Sequence, residues 1–501
     1  MEPKSGFRLK AANIQGMPSM YQNIKSGFIA VVLSLVCTIA VGQIADPEKI
    51  ASPQSDQIGV PQLRAEARKA YEAKNHLAYR TAMENLHKLR PNNSEYMYQL
   101  VLANALLDDK SSAFDVMLKM QRQGLSYDFD KTDESLNLRK TQVYTYLNDL
   151  MVDAGNPIGL AVPVATLESD VLLPEGIEWD SSRNAILVST VNSGSILAVS
   201  EDGTSSELFR ADENNRIWGI YDIAIDVERN RLWAITTANK EFVGFHASDS
   251  GRSALVEFDL KTFEIIKRYP VPVDGLLHKL RNVVISSEGD VFAIDGVFPI
   301  LYTKKASETR LKALSAYKNM VSLRGMDISA DGKLLYLADY EMGVLVIELE
   351  TMRTVNLQVP EELNLGGIAG LNYWNGKLIV IQNGIKPQRV MSLLLDASGT
   401  TVTEVAPLAV NLDVMDFPSY GTVVGDNLMF FANSHWAATE ETAKPIHIVK
   451  TLLSSTPVVM AADAKKFMHD YATNKGTGKY RKVGFDSDEP AEAEASEEKK
   501  D

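Results

Sequence analysis

The sequence predicts a mainly β protein, a six-bladed β-propeller carried behind a short α-helical segment. Up to about residue 155 the apolar residues recur at helical spacing, and from Ala165 the period becomes alternating. From there to Leu453 an apolar strand, a turn and a second apolar strand return about every 40 to 50 residues, which is blade spacing. Six such units can be laid side by side, and Val162 to Leu167 is left over to complete the last of them, so the sheets close into a ring without a free edge. A long β-sandwich is the competing architecture, but its strands would not return at blade spacing.

In chain order, residues 1–42 read as an export signal. Lys4, Arg8, Lys10 and Lys25 precede an apolar run, Phe28 to Val41, which ends in the small residues Ala40-Val41-Gly42. The run is shorter than the roughly 20 residues that a membrane span needs, so cleavage after Gly42 is expected, with retention as a membrane anchor as the alternative and Met17 or Met20 as alternative starts. Cys37, the sole cysteine, lies inside the run and follows Val36, where a lipid-attachment signal has a small residue. The cleaved chain thus has no disulfide, and its expected location is periplasmic or extracellular.

Residues 43–60 are rich in Pro, Ser, Gln and Asp and read as a linker. Residues 61–155 are helical. Ala67, Ala70, Tyr71, Leu77, Leu86 and Leu89 share one periodic pattern, and Leu100, Ala103, Leu107, Phe114 and Leu118 repeat it, with a trailing helix at Thr141 to Val152. The offset is close to the period of about 34 of tetratricopeptide helix pairs, which this segment resembles. Such pairs offer a surface for a peptide or protein partner. Two units bury too little to stand alone, so they are expected to lean on the propeller at 160–455. A basic flank, 456–485, and an acidic tail, 486–501, follow.

The formal net charge of −14 argues against a nucleic-acid partner, which needs a basic stripe. Seven histidines are scattered without zinc-ligand spacing. There is no Gly-x-Ser-x-Gly elbow, no phosphate loop and no His-Glu-x-x-His, so serine hydrolase, nucleotide-binding and zinc protease readings lack support.

Leu173-Pro174-Glu175-Gly176-Ile177-Glu178-Trp179-Asp180, the stretch Met326 to Ala338, and Gly366-Gly367-Ile368-Ala369-Gly370-Leu371 resemble the senescence-marker-protein/gluconolactonase/luciferin-regenerating-enzyme propellers. The resemblance covers roughly Ala165 to Leu453 and is greatest to bacterial members with tetratricopeptide repeats ahead of the propeller. It implies a lactonase-type hydrolase, in which a divalent ion, usually calcium, is held in the channel by a Glu and by Asn and Asp residues that open the inner strands. Glu175 stands where the Glu does. The other positions depart from the pattern: Arg281 and Arg324 replace Asn, and Ala369 replaces Asp. One carboxylate cannot hold a hard dication, and two guanidinium groups would repel it, so no cofactor is expected and calcium belongs only to the hydrolase alternative.

Two readings of these residues stay open. Glu175, Arg281 and Arg324 either form a buried ion-pair plug or leave the arginines to bind a small anion. Tyr221 and Tyr420 hold the equivalent position in two further blades, as packing or as ligand walls. Asp295 and Asp339 end second strands, to cap the channel mouth or to accept from a backbone turn. Asn383, Asn433 and His435 lie on the loop face, with Trp436 beside them, and a lone loop histidine is ordinarily solvated. The function expected is an exported binding or scaffold protein of the cell envelope with a degenerate metal site. The alternative is a lactonase-type hydrolase acting on a small lactone or sugar-derived substrate.

Overall fold

The computed structural model describes residues 59–168, 170, 173–200, 203–436 and 442–454. The expected signal or anchor at 1–42, nearly all of the linker, the basic flank and the acidic tail lie outside the described residues. Among the described residues no helix is long and apolar enough to cross a membrane.

Five helices come first: α1 (Val60–Glu72), α2 (His76–Leu89), α3 (Ser94–Leu106), α4 (Lys110–Arg122) and α5 (Gln142–Asp153). Short polar side chains start four of them. Asn75, Asn93, Asp109 and Thr141 each accept a first-turn backbone N–H that would otherwise have no partner. Lys74, Asp108 and Gly124 take positive φ and turn the chain between helices or away from them. Consecutive helices pack on one another, and Met97, Val101, Met117, Met120, Leu125 and Phe129 form the main helical core.

Six antiparallel sheets follow, and they form a six-bladed propeller. The inner strands are Pro174–Asp180, Gly219–Asp226, Leu280–Ile285, Leu323–Ile328, Ile368–Trp374 and Gly421–Val424, in blades 1 to 6. Each touches the next, and the last returns to the first. Closure comes from Val162–Leu167, which pairs with Ile446–Leu452 as the outer strand of blade 6. The strand left over in the repeat count therefore ties the two ends of the domain together. Ile158–Gly159 adds a short fifth strand to blade 5. At the hairpin turn Asn375-Gly376 both residues have positive φ, which only Gly, Asn and Asp adopt readily.

The helices lean on blades 4 and 5. Ile385, from a loop of blade 5, sits inside the helical core. Arg90 pairs with Glu341, Ser126 N donates to Lys386 O at 2.7 Å, and Asn364 Nδ2 donates to Gln123 Oε1 at 3.0 Å. At Gly366 a Cβ would lie 2.2 Å from Asn92 O, so the seam closes only on glycine.

Candidate functional site

In five blades the ladder slips where the inner strand opens: between Pro174 and Ile177, Ile220 and Asp222, Leu280 and Asn282, Leu323 and Gly325, and Ile368 and Gly370. A bulge removes a residue from the ladder and re-aims its side chain. The residues removed are Glu175 with Gly176, Tyr221, Arg281, Arg324 and Ala369. In blade 6 Tyr420 stands just ahead of the strand. These are the positions that the repeat aligns, so the blade register read from sequence matches the structural one.

The arginines make no direct ion pair with Glu175, although the burial of Arg281 is outweighed by Tyr420 and Glu175, which raise its pKa. Glu175 is 2% exposed and accepts from the indole N–H of Trp436, and it forms no ion pair within 4.0 Å with a described residue. Burial raises its pKa, against the lowering pull of Arg281 and Trp436. Arg281 donates through Nη1 to Tyr420 Oη at 3.4 Å, and its guanidinium lies 5.8 Å from the Trp436 ring centre. Arg324 donates to Ser322 Oγ at 3.2 Å and lies 5.1 Å from the Tyr340 ring centre. Burial, then the neighbouring Arg281, pulls its pKa down.

A third cation joins them. The Lys279 ammonium lies 4.6 Å from the Tyr221 ring centre and 5.2 Å from that of Trp436, two rings stacked at 6.4 Å. Burial, with Arg281 next in weight, lowers its pKa to about 8. Lys279 was not among the residues the sequence singled out. Its only signal was its place two residues before Arg281 on the same approach to the channel.

Five of the sequence candidates have their polar atoms engaged elsewhere. Asp339 accepts from the backbone N–H groups of Val321, Ser322, Glu341 and Met342 at 2.5 to 3.0 Å, which makes it a turn clamp. Asn383 accepts from Tyr340 Oη at 2.9 Å and donates to Pro418 O at 2.7 Å, so it orients the ring beneath Arg324. Asn433 bridges Pro445 O and His447 N. His435 corrects the solvated-loop expectation: it is 4% exposed and is held between Leu173 N and Lys444 O. Asp295 holds His278 Nδ1 at 2.7 Å and three backbone N–H groups. Burial works against a charged His278, yet its bonds to Asp295 and Asp274 raise its pKa.

Further along the inner strands the channel turns acidic. A cavity of about 180 Å³ is lined by Glu178, Asp222, Asp327, Asn282, Asn372 and Thr422, among others, with Tyr420 bordering both tiers. Burial raises Glu178 to about 7 and Asp327 to about 6, and sets Asp222 well above the usual carboxylate range. None of the three forms an ion pair within 4.0 Å with a described residue. Five of these polar residues sit one or three positions after the aligned residue of their blade, one face of a strand by its period of two. The sequence carries that signal in its period of two.

Calcium does not fit the upper tier. A hard dication needs several oxygen ligands, and Glu175 is one carboxylate among three cations. Among the described residues, no group of three or more His, Cys, Asp or Glu could hold a metal ion.

No family model and no curated protein matches the chain. Solved structures do. A luciferin-regenerating enzyme shares 14% identity, with 60% of this chain and 97% of its own covered, at a TM-score of 0.42. A gluconolactonase from Xanthomonas campestris shares 14%, covering 59% and 98%, at 0.40. A chain of a nidogen/laminin complex shares 15%, covering 47% and 80%, at 0.36. The first two bear names from the propeller family that the sequence resembles. The fold assignment itself rests on the six closed sheets.

Proposed function

We propose that this chain is an exported binding protein of the cell envelope, whose ligand is a small anion held in the basic upper tier of the propeller channel. The observation that carries this reading is the state of Arg281. It is 9% exposed, it keeps its charge at any relevant pH, and the described protein supplies it a single hydrogen-bond acceptor at 3.4 Å. A buried guanidinium that lacks acceptors favours any anion able to enter, since leaving it unpaired costs several kcal/mol. Export is supported by the charged flank and apolar run of residues 1–42, and the helices serve this reading as a fixed cap over blades 4 and 5.

The test is calorimetric titration of the protein with sulfate at low ionic strength, beside Arg281→Met. Saturable binding that the variant loses supports the reading. Absence of binding, or stoichiometric calcium binding that Glu175→Gln abolishes, overturns it.

One observation favours a lactonase-type hydrolase instead. Glu175 is a buried carboxyl with a raised pKa, in a state suited to giving or taking a proton during ester cleavage. A proton-release assay with gluconolactone, with and without added calcium, decides between the two: turnover that Glu175→Gln removes establishes the hydrolase.

A further inference from the structure

We infer that the acidic tier is a second binding site, for a small organic amine that enters as its ammonium ion. It is separate from the anion site proposed above and does not rest on it.

The tier is a ring to which every blade contributes. Glu178, Asp222, Asn282, Asp327, Asn372 and Thr422 come from the inner strands of blades 1 to 6 in turn, around the cavity of about 180 Å³. Their donor groups bond to neighbours in the ring. Asn282 Nδ2 donates to Asp222 Oδ2 at 2.6 Å, Thr422 Oγ1 to Glu178 Oε2 at 3.0 Å, and Asn372 Nδ2 to Gly421 O at 3.0 Å. These bonds also fix which end of each amide carries the oxygen.

The side-chain atoms left over are oxygens. Asn282 Oδ1 and Asn372 Oδ1 are buried and have no hydrogen-bond partner among the described residues. Asp222 is 7% exposed and takes both its hydrogen bonds on Oδ2, the second from Val283 N at 2.9 Å. Its other oxygen has only the pull of the next amide, that of Ile223. Asp327 differs, with one oxygen on Ile328 N and the other on Tyr373 N.

A ring of acceptors with three carboxyls calls for a cation that is also a hydrogen-bond donor. A metal ion does not answer, because among the described residues no group of three acids could hold one. An ammonium needs only three acceptors at hydrogen-bond distance, whereas a hard dication needs about six to eight oxygens. The size fits as well. A cavity of about 150 Å³ holds benzene, so this one has room for an amine of roughly six to eight heavy atoms. Val284, Met326 and Val423 also line it, against the carbon body, and Glu178, Asp327 and Asn372 are partly exposed, which opens it to solvent.

No described cation balances the acids within ion-pair distance. The charged groups that act most on them are one another, Asp327 on Glu178 and Glu178 on Asp222. Tyr420, which borders the tier and carries Arg281 on its hydroxyl, is raised by burial and stays neutral. A bound ammonium therefore meets carboxyls that burial has kept protonated, and it ionises them. Binding at about pH 6 releases protons.

The experiment is calorimetric titration of the full chain at about pH 6, in two buffers of different ionisation enthalpy. The probes are n-butylamine and putrescine, with 1-butanol as a neutral control, tetramethylammonium as a cation without N–H donors, and calcium chloride. The expected result is saturable amine binding at least about tenfold tighter than that of butanol or tetramethylammonium, with proton release. Glu178→Gln weakens amine binding about tenfold or more and reduces the release, while it melts no earlier than the parent; Asp222→Asn repeats the test at a second position. Butylamine tighter than putrescine identifies a monoamine ligand, and the reverse identifies a diamine; both support the inference. It fails if no amine binds, if butanol or tetramethylammonium binds as tightly, or if neither substitution changes affinity or release. Calcium binding tighter than that of the amines, lost in the same variants, overturns it in favour of a metal site. Sulfate binding to the upper tier is a separate titration, so the anion reading stands or falls by itself.

Discussion

Arg389 and Arg281 are buried to nearly the same degree, 5% and 9% exposed, and neither has a described carboxylate within 4.0 Å. Their surroundings are otherwise opposite. Arg389, at the seam between helices and propeller, donates Nε to Gln382 Oε1 at 2.8 Å, Nη1 to Gln123 O at 3.1 Å and Nη2 to Asn364 O at 3.5 Å. Arg281 has Tyr420 Oη alone. Burial alone therefore does not tell what a buried cation is for. The number of acceptors that the protein supplies separates an arginine that holds two parts of a fold together from one left available to a ligand.

Three measurements break or sharpen that contrast. The largest effect is expected at the seam. Arg389→Met leaves Gln382 Oε1 and Gln123 O without their donor, and should cost about 2 to 4 kcal/mol in a denaturant melt. It should also open the chain to proteolysis between the helices and the propeller. A loss below about 1 kcal/mol would show that Arg389 is as dispensable as Arg281 is expected to be.

The second measurement moves to the acidic tier, where buried charge is present without any cation. Glu178, Asp327 and Asp222 have folded pKa values above those of ordinary carboxylates, so the unfolded chain ionises before the folded one does. Their contribution to stability is complete below about pH 4 and is lost as pH rises through about 6 to 7. Glu178→Gln should thus gain on the order of 2 kcal/mol over the parent at about pH 8 and nothing at about pH 4. Melts at both pH values check this, and an equal gain at both would place the effect outside the titration of Glu178.

The smallest loss is expected at Arg281. Arg281→Met removes a buried charge with one long hydrogen bond, so in anion-free buffer stability should hold or rise, by up to about 3 kcal/mol, while sulfate binding disappears. If the variant unfolds as readily as Arg389→Met, the channel arginine is structural and the contrast collapses.

Much of this was legible in the chain. Blade count, blade register and the strand that closes the ring follow from period-two apolar runs and turn dipeptides, which are local properties. Glu175, Tyr221, Arg281 and Arg324 could be aligned because each opens the inner strand of its blade. Lys279 and the acidic tier were not singled out, although their positions repeat. Polar residues in a strand ordinarily mark the solvent face, and only in the innermost strand of a closed ring does that face become a buried channel. His435 misled in the opposite sense, since its loop position suggested exposure, whereas its ring is buried and bonded to backbone.

The sequence by itself determined the repeating architecture and which residue types stand at the head of each inner strand, because both depend on spacing along the chain. Only the tertiary structure decided what those residues do. Whether Glu175 neutralises Arg281 or bonds to Trp436, whether Arg389 finds its acceptors on α4 and blade 5, and whether Lys279 lies over two rings are matters of distances between segments 100 residues or more apart in several cases. Side-chain charge is a property of the sequence, whereas its compensation depends on which groups folding brings within a few ångströms.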